Sequence, residues 1–218
     1  MTRSRDLLRR ALALYNASPR ADRLFVRARA FLSDLPQIER HAPREGAILD
    51  LGCGHGLVAN LLAIGSPARD VTGIDIDADK IASARRTVRA RSNIRFLEAD
   101  ATTYEGGPYN AITVADVFYL IPPDGQRALL AACARMLAPG GMLIWKSQVR
   151  HPRWKYAITR GQEWLMTTLG PTEGHGLYFL DTDESLAALR AAGFLPVTLT
   201  PRSWRPYTDV LFLAQKVG

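Results

Sequence analysis

The chain predicts an α/β fold: a doubly wound, seven-stranded, mostly parallel sheet whose last strand runs antiparallel. Three observations carry the prediction. Short apolar runs alternate with helical patterns along most of the 218 residues. The run Ile48-Leu49-Asp50-Leu51 ends at Gly52, Gly54 and Gly56, three glycines on alternate positions before an apolar helical segment. The last two apolar runs have no helix between them, and strands without a helical crossover pair antiparallel.

Taken in order, strands are expected at Ala47 to Leu51, Val71 to Asp75, Ile94 to Leu97, Ala111 to Ala115, Met142 to Lys146, Leu195 to Thr200 and Asp209 to Gln215. Helices are expected at Leu57 to Ile64, Ala78 to Arg89, Asp124 to Leu137 and Asp183 to Ala192. Asp77 suits an N-cap, while Pro139-Gly140 and Gly193 supply stops. Ahead of the first strand, Leu7, Leu8, Ala11, Leu12 and Tyr15 follow helical spacing, which predicts a helix packed across the open end of the sheet. The organisation is then a basic helical cap over 1–44 and a main domain over 45–218, carrying a lid over about 147–181. No internal repeat or low-complexity tract interrupts it.

The formal charge is +7 and the pI about 9.8, but the excess is local. Met1 to Arg44 carries roughly +6 and Lys146 to Gln162 roughly +5, leaving the rest acidic. Cys53 and Cys133 are the two cysteines, one in the glycine turn and one in an apolar helix, which supports neither a disulfide framework nor a cysteine metal site. No apolar run approaches the roughly 18 residues of a membrane span, and no cleavage site follows the basic start. A cytoplasmic protein is expected.

The glycine turn points to chemistry. Backbone without side chains can press against a bound cofactor, and the helix that follows presents free N–H groups and its positive end to an anionic group. The spacing G-x-G-x-G departs from the dinucleotide fingerprint G-x-G-x-x-G, which counts against NAD. Asp75, at the end of the second strand, can accept both hydroxyls of a ribose. Asp100, after the third, can accept from an exocyclic amine. Three acids around one such turn would repel a polyphosphate and suit a ligand with a ribose, an amino group and a cationic centre.

These motifs resemble the class I S-adenosylmethionine-dependent methyltransferases, a Rossmann-like family, and are similar to its ubiquinone and menaquinone-type methyltransferase domain. Asp50 to Gly56 resembles the family's first motif, Gly73 to Asp77 its ribose acid, and Ala99-Asp100-Ala101 its adenine contact. Ala111 to Pro122 is similar to the fourth strand, and Leu137 to Leu143 to the turn before the fifth. Five motifs in order, over about Gly46 to Trp145, carry the likeness. It implies S-adenosyl-L-methionine as cofactor and S-adenosyl-L-homocysteine as product. The implied cofactor contacts are Asp50, Gly52, Cys53, Gly54, Gly56, Asp75, Ile76, Asp100, Ala101 and Asp116. Several have a purely structural alternative: a tight turn for the glycines, a helix cap for Asp75, a solvated loop acid for Asp100, a tolerated thiol for Cys53 and a loop or capping role for Asp116.

Methyl transfer from an activated donor needs in-line placement, a dry site and a base only when the acceptor must lose a proton. Asp116, ending the fourth strand, is expected to orient the acceptor or take that proton. Tyr119 and His151 are further catalytic candidates, and Tyr119, Lys146, Trp154 and Tyr178 substrate contacts. His175 is a weaker base candidate. No His or acid cluster has metal spacing. The amphiphilic stretch from Trp145 to Leu169, aromatics interleaved with Lys146, Arg150, Arg153, Lys155 and Arg160, suits a lid over an apolar pocket or a peripheral contact with anionic membrane. The expected partner is a small or lipid-like acceptor, neutral or anionic in part, methylated at oxygen or carbon. RNA as acceptor, and a cofactor-binding protein without its own catalysis, are the alternatives, RNA being disfavoured because no binding module is present. Nothing in the sequence specifies an oligomeric state.

Overall fold

The computed structural model describes residues 2–148, 178–199 and 209–217. Three helices come first, α1 (Thr2–Ala13), α2 (Arg20–Leu32) and α3 (Pro36–His41), making up the helical cap, of which the sequence pattern locates the first. Proline marks the divisions. Pro19 is the N-cap of α2 and Pro36 opens α3, positions where a missing N–H leaves no helical bond unmade.

The alternation then runs β1 (Gly46–Leu51), α4 (Leu57–Gly65), β2 (Arg69–Asp75), α5 (Ala78–Arg86), β3 (Ile94–Glu98) and β4 (Tyr109–Ala115). A 3-10 turn (Phe118–Leu120), α6 (Pro123–Met136), β5 (Leu137–Gln148), α7 (Thr182–Ala191), β6 (Phe194–Leu199) and β7 (Asp209–Lys216) follow. The seven strands lie in the order β3-β2-β1-β4-β5-β7-β6. β1 to β5 pair in parallel, and β7 runs antiparallel to both β5 and β6. Strand order reverses between β1 and β4, so their carboxyl ends open the crevice where such sheets bind ligands.

Each face of the sheet is covered by its own apolar cluster. On one face Ile48, Val71 and Ile144 pack with Val58 and Leu62 of α4, and the helices ahead of the sheet join them through Leu7, Ala11, Tyr15, Val26, Leu35 and Ile38. On the other, Leu49, Ile112, Leu143, Trp145 and Phe212 pack with Leu129 and Cys133 of α6 and Leu189 of α7. Trp145 is therefore core and not lid. It is 1% exposed, and its ring lies 4.3 Å from that of Phe118 and 4.9 Å from that of Phe212.

Two helix ends differ from expectation. α5 stops at Arg86 because Thr87 is drawn inward, its hydroxyl donating to Ala84 O and accepting from Asn60, and Arg89 then takes a left-handed φ of 52°. α6 stops at Met136, and Leu137 turns extended as its C-cap to pair with Tyr109, so Pro139-Gly140 lies in an irregularity of β5 and not at a helix stop. Elsewhere the local signals hold. Asp77 caps α5 by accepting from the N–H groups of Asp79 and Lys80, and Asp181 with Glu184 forms a reciprocal capping box on α7.

Candidate active site

The turn after β1 places Gly52, Gly54 and Gly56 at φ of 67°, 53° and 83°, all left-handed. Only one of the three has room for a side chain beside it. A Cβ on Gly52 would meet Val117 Cγ2 at 2.5 Å, and one on Gly56 would meet Phe96 Cζ at 2.5 Å, so these two are bare because protein packs against them. A Cβ on Gly54 would meet nothing nearer than Arg29 Nη1 at 3.7 Å. Asp50 lies beneath the turn, 2% exposed, one carboxylate oxygen accepting from Ala59 N at 3.0 Å and the other from Thr113 Oγ1 at 2.8 Å. It thereby fills part of the positive end of α4 from inside the protein. Burial pushes its carboxyl up to about 6, against the lowering pull of these two bonds and of Arg29. Cys53 is buried beside it, and burial with the nearby acids raises its thiol well above the ordinary range.

Asp75 stands at the rim. Its Oδ2 accepts from Gly54 N at 2.7 Å and its Oδ1 from Asp77 N at 3.0 Å, so the β2 acid is tied directly to the open glycine. Each carboxylate oxygen retains a further lone pair for a ligand hydroxyl. The neighbouring Ile76 is 73% exposed, a large apolar face offered to solvent next to a carboxylate. Asp100 is exposed after β3 and accepts from Thr102 N and Oγ1, both at 2.7 Å. Ala101 follows it, half-buried. The alternating reading of Asp75 as a helix cap is excluded by geometry, since Asp77 does that work.

The helices ahead of the sheet complete the turn. Tyr15 donates to His55 O at 2.7 Å and accepts from Asn60 Nδ2 at 3.1 Å, and Asn60 also donates to Gly56 O and Thr87 Oγ1. Burial raises the Tyr15 hydroxyl far above the tyrosine range. His55 packs against Phe25 with ring centroids 5.0 Å apart and the planes tilted by 38°, and burial lowers its imidazole although Asp22, 3.9 Å away, opposes this. Arg29 of α2 donates to Ala115 O at 2.9 Å and lies 3.7 Å from Asp116, while its Nη1 borders the open side of Gly54.

A second cluster closes the ends of β4, β5 and β7. Asp116 has a left-handed φ of 59° and donates its N–H to Lys146 O. Its carboxylate accepts from Lys146 Nζ at 2.7 Å and Ser33 Oγ at 3.2 Å. Lys146, 4% exposed, also donates to Asp209 at 3.1 Å. Burial opposes the charge on Asp116, but Lys146 and Arg29 outweigh it and hold the carboxyl below the usual range. Burial likewise opposes the charge on Lys146, and the two carboxylates outweigh it upward. Asp34, Gln37, Lys146, Asp209, Val210 and Leu211 line a small cavity beside this cluster.

Of the expected acceptor-side residues, Asp116 and Lys146 are brought together, and Tyr119 is joined to Tyr178 through Tyr178 N donating to Tyr119 O at 2.7 Å. The Tyr119 ring is buried and stacked on Phe179 at 4.9 Å. His151, Trp154 and His175 lie outside the described residues, as does most of the expected lid. Arg29, Ser33, Gln37 and Asp209 escaped the sequence reading. Arg29 was one arginine among many, and Asp209 lies far along the chain from its partners.

A glycine turn at a sheet's switch point, a rim acid tied to it and a crevice beyond make this a Rossmann-like cofactor-binding enzyme site. Residues 48–141 match the family model of the methyltransferase domain. The ubiquinone biosynthesis O-methyltransferase of Bordetella avium is 26% identical over 173 residues, covering 77% of this chain and 69% of that protein. The demethylmenaquinone methyltransferase of Thermus thermophilus is 40% identical over 100 residues, 44% of each chain. Among solved structures, the magnesium protoporphyrin IX methyltransferase of Synechocystis, with S-adenosylhomocysteine bound, superposes with a TM-score of 0.69 at 18% identity, covering 97% of this chain and 93% of that one. An O-methyltransferase family protein of Burkholderia thailandensis superposes with a TM-score of 0.70 at 18% identity, and this chain spans 58% of its length. Residues 48–141 therefore form a methyltransferase domain, on the fold shared with solved S-adenosylmethionine-dependent methyltransferases.

Proposed function

We propose that this protein transfers the methyl group of S-adenosylmethionine to a small, largely apolar acceptor at oxygen or carbon. The observation that carries the cofactor half is the Asp75–Gly54 bond: it sets a carboxylate rim against the one glycine of the turn that no protein atom crowds. Asp75 would take the ribose hydroxyls, Ile76 would cover a face of the purine, and Asp100 with Ala101 would border its amine. Arg29, facing Gly54, would take the carboxylate of the donor's amino-acid end. Gly52, Gly56, Asp50 and Cys53 would act from behind, by shaping the turn. The cofactor supplies a methyl already activated on a sulfonium, so this chain's residues need to bind, orient and exclude water.

Asp116 is the orienting charge in this reading and not the proton acceptor. Its carboxylate is engaged by Lys146 and Ser33, and a carboxyl held below its usual range is a weak base. The acceptor would meet this cluster from the side of the cavity, which is itself only water-sized at about 10 Å³ and has Val210 and Leu211 as its apolar part and Asp34, Gln37, Lys146 and Asp209 as its polar part. Because Lys146 is already matched by two carboxylates, the cavity favours a neutral or hydrogen-bond-donating group over an anionic one. The kinship with quinone methyltransferases supports an acceptor with an apolar body.

Incubation with methyl-labelled cofactor and separate pools of lipid extract, polar metabolites and RNA tests this directly. Label is expected in the lipid or small-metabolite pool. Label confined to RNA would replace this reading with the nucleic-acid one. Asp75→Ala should weaken binding of S-adenosylhomocysteine by at least tenfold in calorimetry, since a buried charge-assisted hydrogen bond to the ribose is worth roughly 1.5–3 kcal/mol.

A further inference from the structure

The outer face of α2 carries a pattern that neither the core nor the site uses. Arg20, Leu24, Arg27 and Phe31 recur at steps of four, three and four, which places them on one stripe of the helix. All four are exposed, and Leu24 and Phe31 are each 73% exposed, among the most exposed large hydrophobic residues described. The opposite side of the helix is fully engaged: Val26 and Ala30 are buried, and Arg29 reaches Ala115 O. Asp22, the one acid of α2, also faces inward, accepting from Ser83 Oγ at 2.6 Å. The outward stripe thus holds two cations, two large apolar side chains and no acid. Among the described residues neither Arg20 nor Arg27 has a carboxylate partner.

We propose that this stripe docks the protein on an anionic lipid surface. Leucine and phenylalanine spaced between arginines fit the boundary between headgroups and acyl chains, with the guanidinium groups on phosphates and the apolar side chains below them. Charge complementarity selects this occupant. A nucleic acid would also attract the arginines, but it offers an aliphatic Leu24 no burial, whereas an acyl boundary buries both apolar side chains. α1 strengthens the field, since Arg5, Arg9 and Arg10 are exposed as well, and among the described residues only Arg9 has a carboxylate partner, Asp6 at 2.9 Å. The proposal does not depend on what is methylated. Because Arg29 and Phe31 lie on opposite sides of one short helix, however, docking would hold the cofactor turn within a helix diameter of the bilayer surface, about 10 Å.

Co-sedimentation of the full chain with vesicles of phosphatidylcholine alone, or mixed with phosphatidylglycerol, tests it. Binding is expected only with phosphatidylglycerol, and it should fall between 50 mM and 500 mM salt on the order of the shrinking Debye length. Arg20→Gln and Arg27→Gln should each weaken it about fivefold. Phe31→Ser should weaken it tenfold or more at constant net charge. Arg86→Gln, an equal loss of charge on an exposed residue of α5, should leave it nearly unchanged. Each variant should keep wild-type affinity for S-adenosylhomocysteine, which separates failure of docking from failure of the fold or the cofactor site. Three results would overturn the proposal. One is equal binding by Phe31→Ser and the wild type. Another is an effect of Arg86→Gln equal to that of Arg27→Gln. The third is self-association in sedimentation velocity that Phe31→Ser abolishes, which would make the stripe an interface between copies.

Discussion

Gly52 and Gly54 share a motif and a left-handed backbone, yet their neighbours give them different work. Gly52→Ala drives a Cβ into Val117 and should cost a few kcal/mol of stability on top of the left-handed strain, seen as a lowered Tm. Gly54→Ala meets no such wall; its strain of roughly 1 kcal/mol should leave the fold intact and appear instead as weakened S-adenosylhomocysteine binding in calorimetry. Asp50 separates in pH. Its folded carboxyl lies near 6, above that of an unfolded aspartate, so it stabilises the fold most when protonated and that contribution is lost as pH rises from about 4 through 6. Asp50→Asn, which preserves the shape without the charge, should remove this slope, and the variant should gain about 2 to 3 kcal/mol relative to the wild type between pH 4 and 7 by urea titration. Equal pH dependence in both proteins would remove Asp50 from the account. The glycines, Asp50, Asp75 and Asp100 were legible because each follows a strand at short range. Arg29, Ser33 and Asp209 were not, because nothing local marks a residue whose partner lies more than sixty positions away.

The helices ahead of β1 are fastened to the sheet by more than apolar contact. Arg69 of β2 has a fully buried side chain with every nitrogen engaged: its Nε donates to Pro43 O, its Nη1 to Glu39 Oε1 and Leu62 O, and its Nη2 to Glu39 O and Ala42 O. Arg44 reaches the same Glu39 at 2.7 Å and also Gly65 O. Removing Arg69 leaves a nearly buried carboxylate with a half-exposed partner and takes a donor from four carbonyl oxygens. Arg69→Met should therefore destabilise by about 3–5 kcal/mol, whereas Arg44→Met, at the edge, should cost 1 kcal/mol or less. Denaturant titration of the two variants checks the contrast, and equal losses would mean that burial does not set the worth of these bonds. The same elements show where periodicity fails. The number of strands and the antiparallel end followed from spacing and the missing crossover. The break of the basic cap into three helices follows the local signals of Pro19 and Pro36, whereas the end of α6 at Met136 depends on the pairing of Leu137 with Tyr109, which competes with helical propensity only in the folded chain.

At the scale of the whole molecule, one apolar cluster runs without a gap from Leu7 and Tyr15 through Leu35 and Ile38 to Ile48, Val71 and Ile144. The segment that sequence composition marks as a separate basic cap therefore shares its core with the sheet, and three of its residues, Tyr15, Arg29 and Ser33, hold the turn after β1 and the end of β4. A shared core makes opening of the cap and loss of the cofactor turn one event, which predicts a single cooperative transition. Leu35→Ala, at a fully buried position of the cap, should lower the stability of the entire chain by about 2–5 kcal/mol. S-adenosylhomocysteine at 100 times its Kd should restore roughly 2.7 kcal/mol of that. Amide exchange distinguishes the alternatives: in the variant, the protected amides of α1, α4 and β1 should all exchange at the same reduced free energy, and all should regain protection with the ligand. If the amides of α1 to α3 exchanged early while β1 and α4 kept wild-type protection, the cap would be a unit of its own, and its bonds to the turn would be contacts of a lid and not part of the foundation of the site.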